Sequence, residues 1–130
     1  MPQMPKYETP FVEAARRLLW NIESRLPPFY RGIVRCTIVG GVATHIYTGW
    51  RVSHDMDSFF QPSLLLPETP MVEFEGVDGL ETLVLDRNYS PVLGLMHPDW
   101  LENALDWETM GRIEVKIIAP LDLAVSKTAR

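Results

Sequence analysis

The apolar residues change period abruptly at Pro27-Pro28, and that switch constrains the chain to a fold that mixes helices with strands. Upstream, Phe11, Ala15, Leu18, Ile22 and Leu26 recur every three or four residues, which predicts one amphipathic helix over residues 10–26. Thr9 suits its N-cap, and Pro10 suits the first helical position, where a missing N–H costs nothing. The two prolines end it. Downstream, residues 33–39 are rich in β-branched side chains and predict a short buried strand that runs directly into Gly40-Gly41.

The same punctuation organises the rest. A short helix is expected over 42–47, closed by Gly49 as a left-handed cap, then a strand over 55–60. Two further strands are expected over 71–74 and 82–86, with Asp78-Gly79 as turn chemistry between them. Pro98 opens an expected helix through Trp107. The alternation of Ile113, Val115 and Ile117 with Glu114 and Lys116 predicts a strand over 112–118, and Ala119-Pro120 starts a last helix. That helix has no Gly or Pro stop before Arg130, so the expectation is a single domain over 1–130 whose native chain continues past its C-terminus. The fold class expected is α/β (α+β): a small mixed β-sheet backed by helices.

Size and charge narrow the function. At 130 residues, 46% hydrophobic and 22% charged, the chain has an ordinary globular balance, which excludes a disordered tail or a coiled coil. No apolar run approaches the roughly 20 residues of a membrane helix, and the first ten residues lack the apolar core of a secretory signal. Cys36 is the single cysteine, so neither an internal disulfide nor a multi-cysteine zinc site is open to it, and a reduced cytoplasm is the expected compartment. The net charge of −5 argues against a wrapper of duplex DNA. It is uneven: residues 1–65 carry seven basic and five acidic side chains (net +2), residues 66–130 five basic and twelve acidic (net −7). Arg31, Arg35 and Arg51 could still meet a nucleotide or an RNA end.

The chemistry concentrates between Gly40 and Asp57. On a strand, Asp55 and Asp57 leave the same face with Cα atoms about 6.6 Å apart, while Met56 and Ser58 turn toward packing. Carboxylates at that spacing can share a hard cation such as Mg²⁺ or Mn²⁺, which prefers oxygen ligands and leaves positions open for phosphate. Gly40-Gly41, between a buried strand and a helix start, lets backbone approach a ligand and offers N–H groups to a phosphate. Arg51 and Ser53 lie between the two and could add a cation and a hydroxyl. His45 and Cys36 read as core residues, His54 as an opposite-facing strand neighbour, and His97 as a helix-entry residue. The tryptophans read mostly as packing, with Trp50 a candidate for stacking on a base. The Asn88-Tyr89-Ser90 sequon reads as chance.

The run GGVATHIYTGWRVSHDMD resembles the signature of the polymerase-β-like nucleotidyltransferase superfamily: Gly-Gly, a short helix, then Arg-x-Ser/Thr-x-Asp-x-Asp. A second block, IEVKIIAPLDLAVSKTAR, is similar to the strand and Pro-x-Asp-Leu-x-x-x-Lys helix of the same group, and both resemble the minimal bacterial AbiEii-type enzymes, which include toxins of toxin–antitoxin systems. The resemblance implies the nucleotidyltransferase fold, with Gly40 and Gly41 on the nucleotide phosphates, Asp55 and Asp57 holding metal, and Lys127 neutralising triphosphate. Val42 departs from it, standing where the group often has Ser. A third carboxylate, which would activate the attacking hydroxyl, is expected from a later strand: Asp86 first, Glu114 second. The implied activity moves an NMP from an NTP to a hydroxyl on a tRNA end, a protein or a small molecule, with an antitoxin protein as a partner class. Two rivals stay open: a nucleotide- or partner-binding module that keeps the fold without catalysis, and a glycosyltransferase, which also uses Asp-x-Asp.

Overall fold

The structure, a computed structural model, describes residues 7–50, 54–62, 69–76, 79–86 and 99–128, with side chains to 125. The first helix, α1 (Pro10–Ser24), begins as its sequence dictates: Thr9 is extended and its hydroxyl accepts the Val12 N–H at 3.2 Å. Its stripe of Phe11, Val12, Ala14, Ala15, Leu18, Leu19 and Ile22 is buried. Strand β1 (Val34–Ile38) follows, then α2 (Gly40–Thr48), which ends at Gly49 in the left-handed conformation with its N–H on the His45 carbonyl.

Strands β2 (Asp55–Gln61), β3 (Met71–Gly76) and β4 (Gly79–Asp86) come next, then one helical turn, α3 (Trp100–Asn103), strands β5 (Leu105–Met110) and β6 (Ile113–Ile117), and α4 (Pro120–Thr128). The six strands form one mixed sheet in the order β3-β4-β2-β1-β6-β5. The β1–β6 and β2–β4 pairs are parallel; β1–β2, β3–β4 and β5–β6 are antiparallel. The chain is therefore mixed α+β, a curled sheet backed by helices.

One sheet face carries Cys36, Ile38, Met56, Phe60, Leu83, Leu85, Val115 and Ile117, all buried in a single core with α1 and α2. At roughly 1.5–3 kcal/mol for each large apolar side chain removed from water, this layer is the main stabilising contribution. Phe11 sits at its centre, edge-on to both His45 of α2 and Phe74 of β3. The opposite face carries Arg35, Thr37, Asp55, Asp57, Phe59, Asp86, Glu114 and Lys116, and α3 leans on it through a Phe59–Trp100 ring contact at 5.8 Å.

The helix expected over 98–107 is corrected. Of residues 99–107 only Trp100–Asn103 is helical, and Leu105–Met110 is a strand. It pairs with β6 across Gly111-Arg112, a tight hairpin turn that Gly111 permits with φ 60. Trp107 and Thr109 favour a pleated surface, and the cross-strand partner outweighs the weak helical spacing of a six-residue stretch. Among the described residues no helix is long and apolar enough to cross a membrane.

Candidate functional site

The alternation of β2 sets the site. Met56 and Ser58 are buried against the helices, so Asp55 and Asp57 emerge on the opposite face, Asp55 exposed and Asp57 half-buried. Strand β4 runs parallel to β2 in a register that makes Asp57 and Asp86 direct partners and sets Val84 beside Asp55. Neighbouring strands lie about 4.8 Å apart, so the three aspartate positions form a compact triangle on one face. The bond from the Val84 N–H to the His54 carbonyl, 2.8 Å, fixes this register at its upstream end.

The glycines stand beside it. The Val39 N–H donates to the Asp57 carbonyl at 3.0 Å, carrying β1 into Gly40 level with Asp57. Gly40 has φ 65, and a Cβ built on it would lie 2.6 Å from Asp57 Oδ2. The start of α2 is thus pressed against that carboxylate with no room for a side chain. Val42, two positions on from Gly40, is fully buried and contributes packing rather than a phosphate contact.

Asp55, Asp57 and Asp86 bring three carboxylates to this face, oxygen donors of the kind that suit a hard divalent cation. The donors are not gathered into a closed cluster: among the described residues, no group of three or more His, Cys, Asp or Glu side chains could hold an ion as arranged. The fit to Mg²⁺ or Mn²⁺ therefore rests on the backbone positions and the chemistry of the donors.

Glu114 stands elsewhere. It lies on β6, beyond β1 from β2, level with Arg35 and Gln61 at the far end of β2, with its carboxylate 3.9 Å from Arg35. Arg51, Ser53, Asp78, His97 and the 88–90 sequon lie outside the described residues. So does the side chain of Lys127, whose backbone belongs to α4.

The remaining candidates are structural. His45 is buried, its Nε2 2.7 Å from Thr9 Oγ1, which ties α2 to the cap of α1. Burial pushes the Cys36 thiol up to about 12, which makes it inert. Tyr47, buried, donates to the Ile118 carbonyl at 2.8 Å, and burial pushes its phenol up to about 12. His54 is exposed, 3.7 Å from Glu81. Trp50 and Trp20 are exposed, Trp100 is buried, and Trp107 is half-buried with the Arg16 guanidinium 5.2 Å over its ring.

Sequence reasoning missed one group on the same face. Thr37, Lys116, Gln61, Leu101 and Glu102 line a cavity with Arg35, and of these only Arg35 stood out in the sequence. The usable signal was the strand alternation that gives Thr37 and Lys116 the same side as Asp57. Comparison of the chain with protein-family models, curated proteins and solved structures found no match.

Proposed function

We propose that the chain is a metal-dependent nucleotidyltransferase with the polymerase-β-like fold, moving an NMP from an NTP to a hydroxyl acceptor. The observation that carries this reading is the parallel β2–β4 register, which sets Asp86 beside Asp57 on the face that Asp55 shares, with Gly40 packed against Asp57. Asp55 and Asp57 would hold Mg²⁺ or Mn²⁺. When bound, the metal offsets charge developing on the attacking and leaving oxygens of the phosphoryl transfer. Asp86 accepts the proton of the acceptor hydroxyl as that oxygen bonds to the α-phosphorus and pyrophosphate leaves. The N–H groups at the start of α2 bind triphosphate oxygens, aided by the positive end of the helix dipole. Arg51, Ser53 and Lys127 are assigned to the triphosphate by resemblance alone. The proposed setting is the cytoplasm, with a tRNA end among the acceptors and an antitoxin protein as partner.

A second reading has two observations in its favour: the described acids do not close on an ion, and Val42 offers no hydroxyl. On that reading the fold serves as a nucleotide- or partner-binding module without transfer. Asp86→Asn separates the two, because Asn keeps the shape of Asp and removes its basicity. In the full chain with Mg²⁺, the variant is expected to bind NTP as the wild type does and to lose transfer of radiolabel to total RNA or lysate by about 10²–10⁴-fold. Wild-type protein that binds NTP and labels nothing favours the module. Equal labelling by wild type and Asp86→Asn removes Asp86 from the mechanism.

A further inference from the structure

A cavity lies on the sheet face that carries the aspartates, and they are not among its described walls. It encloses about 440 Å³, within the range of small-molecule sites, and its described walls are Arg35, Thr37, Gln61, Leu101, Glu102 and Lys116. Cross-strand pairing joins it to the aspartates. Thr37 pairs with Phe59, two residues along β2 from Asp57, so Thr37 and Asp57 are diagonal neighbours about 7–8 Å apart.

Its chemistry is that of an anion site with an apolar wall. Lys116 and Arg35 supply two cations, Gln61 an amide and Thr37 a hydroxyl, against the one carboxylate of Glu102. The cations are held loosely: Lys116 Nζ is 3.4 Å from Asp106, itself 92% exposed, and Arg35 Nε is 3.9 Å from Glu114. Such solvent-screened pairs contribute little and yield readily to a better anion. Thr37 is the telling residue. It is only 2% exposed, yet it lines the cavity from the same side of β1 as Arg35. A threonine hydroxyl both donates and accepts, so it can bond an oxygen of a phosphate seated there.

We infer that this cavity binds the phosphate of the acceptor: a nucleotide monoester or the last internucleotide phosphate of a single strand, held by Lys116, Arg35 and Thr37 with Leu101 against its sugar. The word acceptor rests on the transferase reading; the phosphate site does not. The Gly40-Gly41 cradle lies on the other side of Asp57 along β1, so a ligand in the cavity meets the aspartates from the opposite direction to an NTP tail seated there.

The test is calorimetry on the full chain in EDTA at low salt, titrated with CMP, with cytidine, and with a single-stranded trinucleotide ending in a 3′-hydroxyl. CMP or the trinucleotide is expected to bind and cytidine not to; the tighter of the two identifies free nucleotide or strand end as the source. Lys116→Gln is expected to weaken binding about ten- to hundredfold, and Thr37→Val about two- to tenfold. Arg35→Gln, at an exposed site, is the check should Lys116→Gln unfold, with melting curves reporting on both. Asp55→Asn combined with Asp57→Asn should leave this binding intact while abolishing transfer. If the wild type binds neither phosphate ester, or Lys116→Gln and Arg35→Gln bind like wild type, the inference falls. Binding that persists in a protein that labels no acceptor refutes only the transferase reading.

Discussion

Gly40 is where a single residue decides most. Its backbone occupies a region that side chains rarely adopt, and its missing Cβ leaves the space that Asp57 Oδ2 fills. Gly40→Ala therefore adds backbone strain and a steric conflict together, at a cost of about 1–3 kcal/mol. We expect a lower denaturation midpoint and a displaced Asp57 carboxylate, read as weakened NTP binding; an unchanged midpoint would show that the backbone relaxes freely there. The alternation of Asp55 and Asp57 was legible because a period of two needs only the strand. That Gly40 touches Asp57 was not legible, since the contact depends on how β1 pairs with β2, and pairing is a long-range property.

At the scale of elements, legibility followed local signals. Helix α1, with its cap and stripe, and α2, with Gly49 at its end, could be read because their boundaries are set within a few residues. Strand β5 could not, because six residues without strict alternation take their conformation from the partner strand. The turn joining β5 to β6 is clamped to the end of α1 by a pair the sequence also hides, separated by 89 residues. Glu23 Oε2 accepts from both the Arg112 backbone N–H and Nε at 2.8 Å, and Arg112 Nη1 donates to the Pro27 carbonyl at 2.7 Å. Arg112 holds the Glu23 carboxyl below its ordinary 4.5. A carboxyl lowered on folding contributes stability above its unfolded value, and that contribution disappears as pH falls through the folded value. Glu23→Gln should lower the melting temperature at neutral pH and flatten its fall as the pH drops below 4.5. A variant that retains the full acid slope would place the acid sensitivity elsewhere.

For the molecule as a whole, α1 is the element that spans the sheet. It packs on β3 and β4 toward one edge and on β5 toward the other, and on α2 beside it. Phe11 joins three of these pieces through its two ring contacts, so Phe11→Ala should remove about 3–5 kcal/mol, a large share of the 5–15 kcal/mol typical of a domain. Denaturant titration gives the loss. Hydrogen exchange should place the earliest loosening at the β3–β4 hairpin, and uniform loosening instead would mean that α1 stabilises all strands alike.

The pairing of Asp57 with Asp86 has a consequence for which changes in length the chain can absorb. Successive residues of a strand face opposite ways, so whether Asp86 shares a side with Asp57 is a matter of parity. Losing one residue from β4 while its upstream pairing holds would turn Asp86 toward the helices and bring Leu85 into the open; losing two would restore the facing one step out of line. Substitutions along β4 alter the site by degrees, whereas insertions and deletions there switch it off and on with odd and even count.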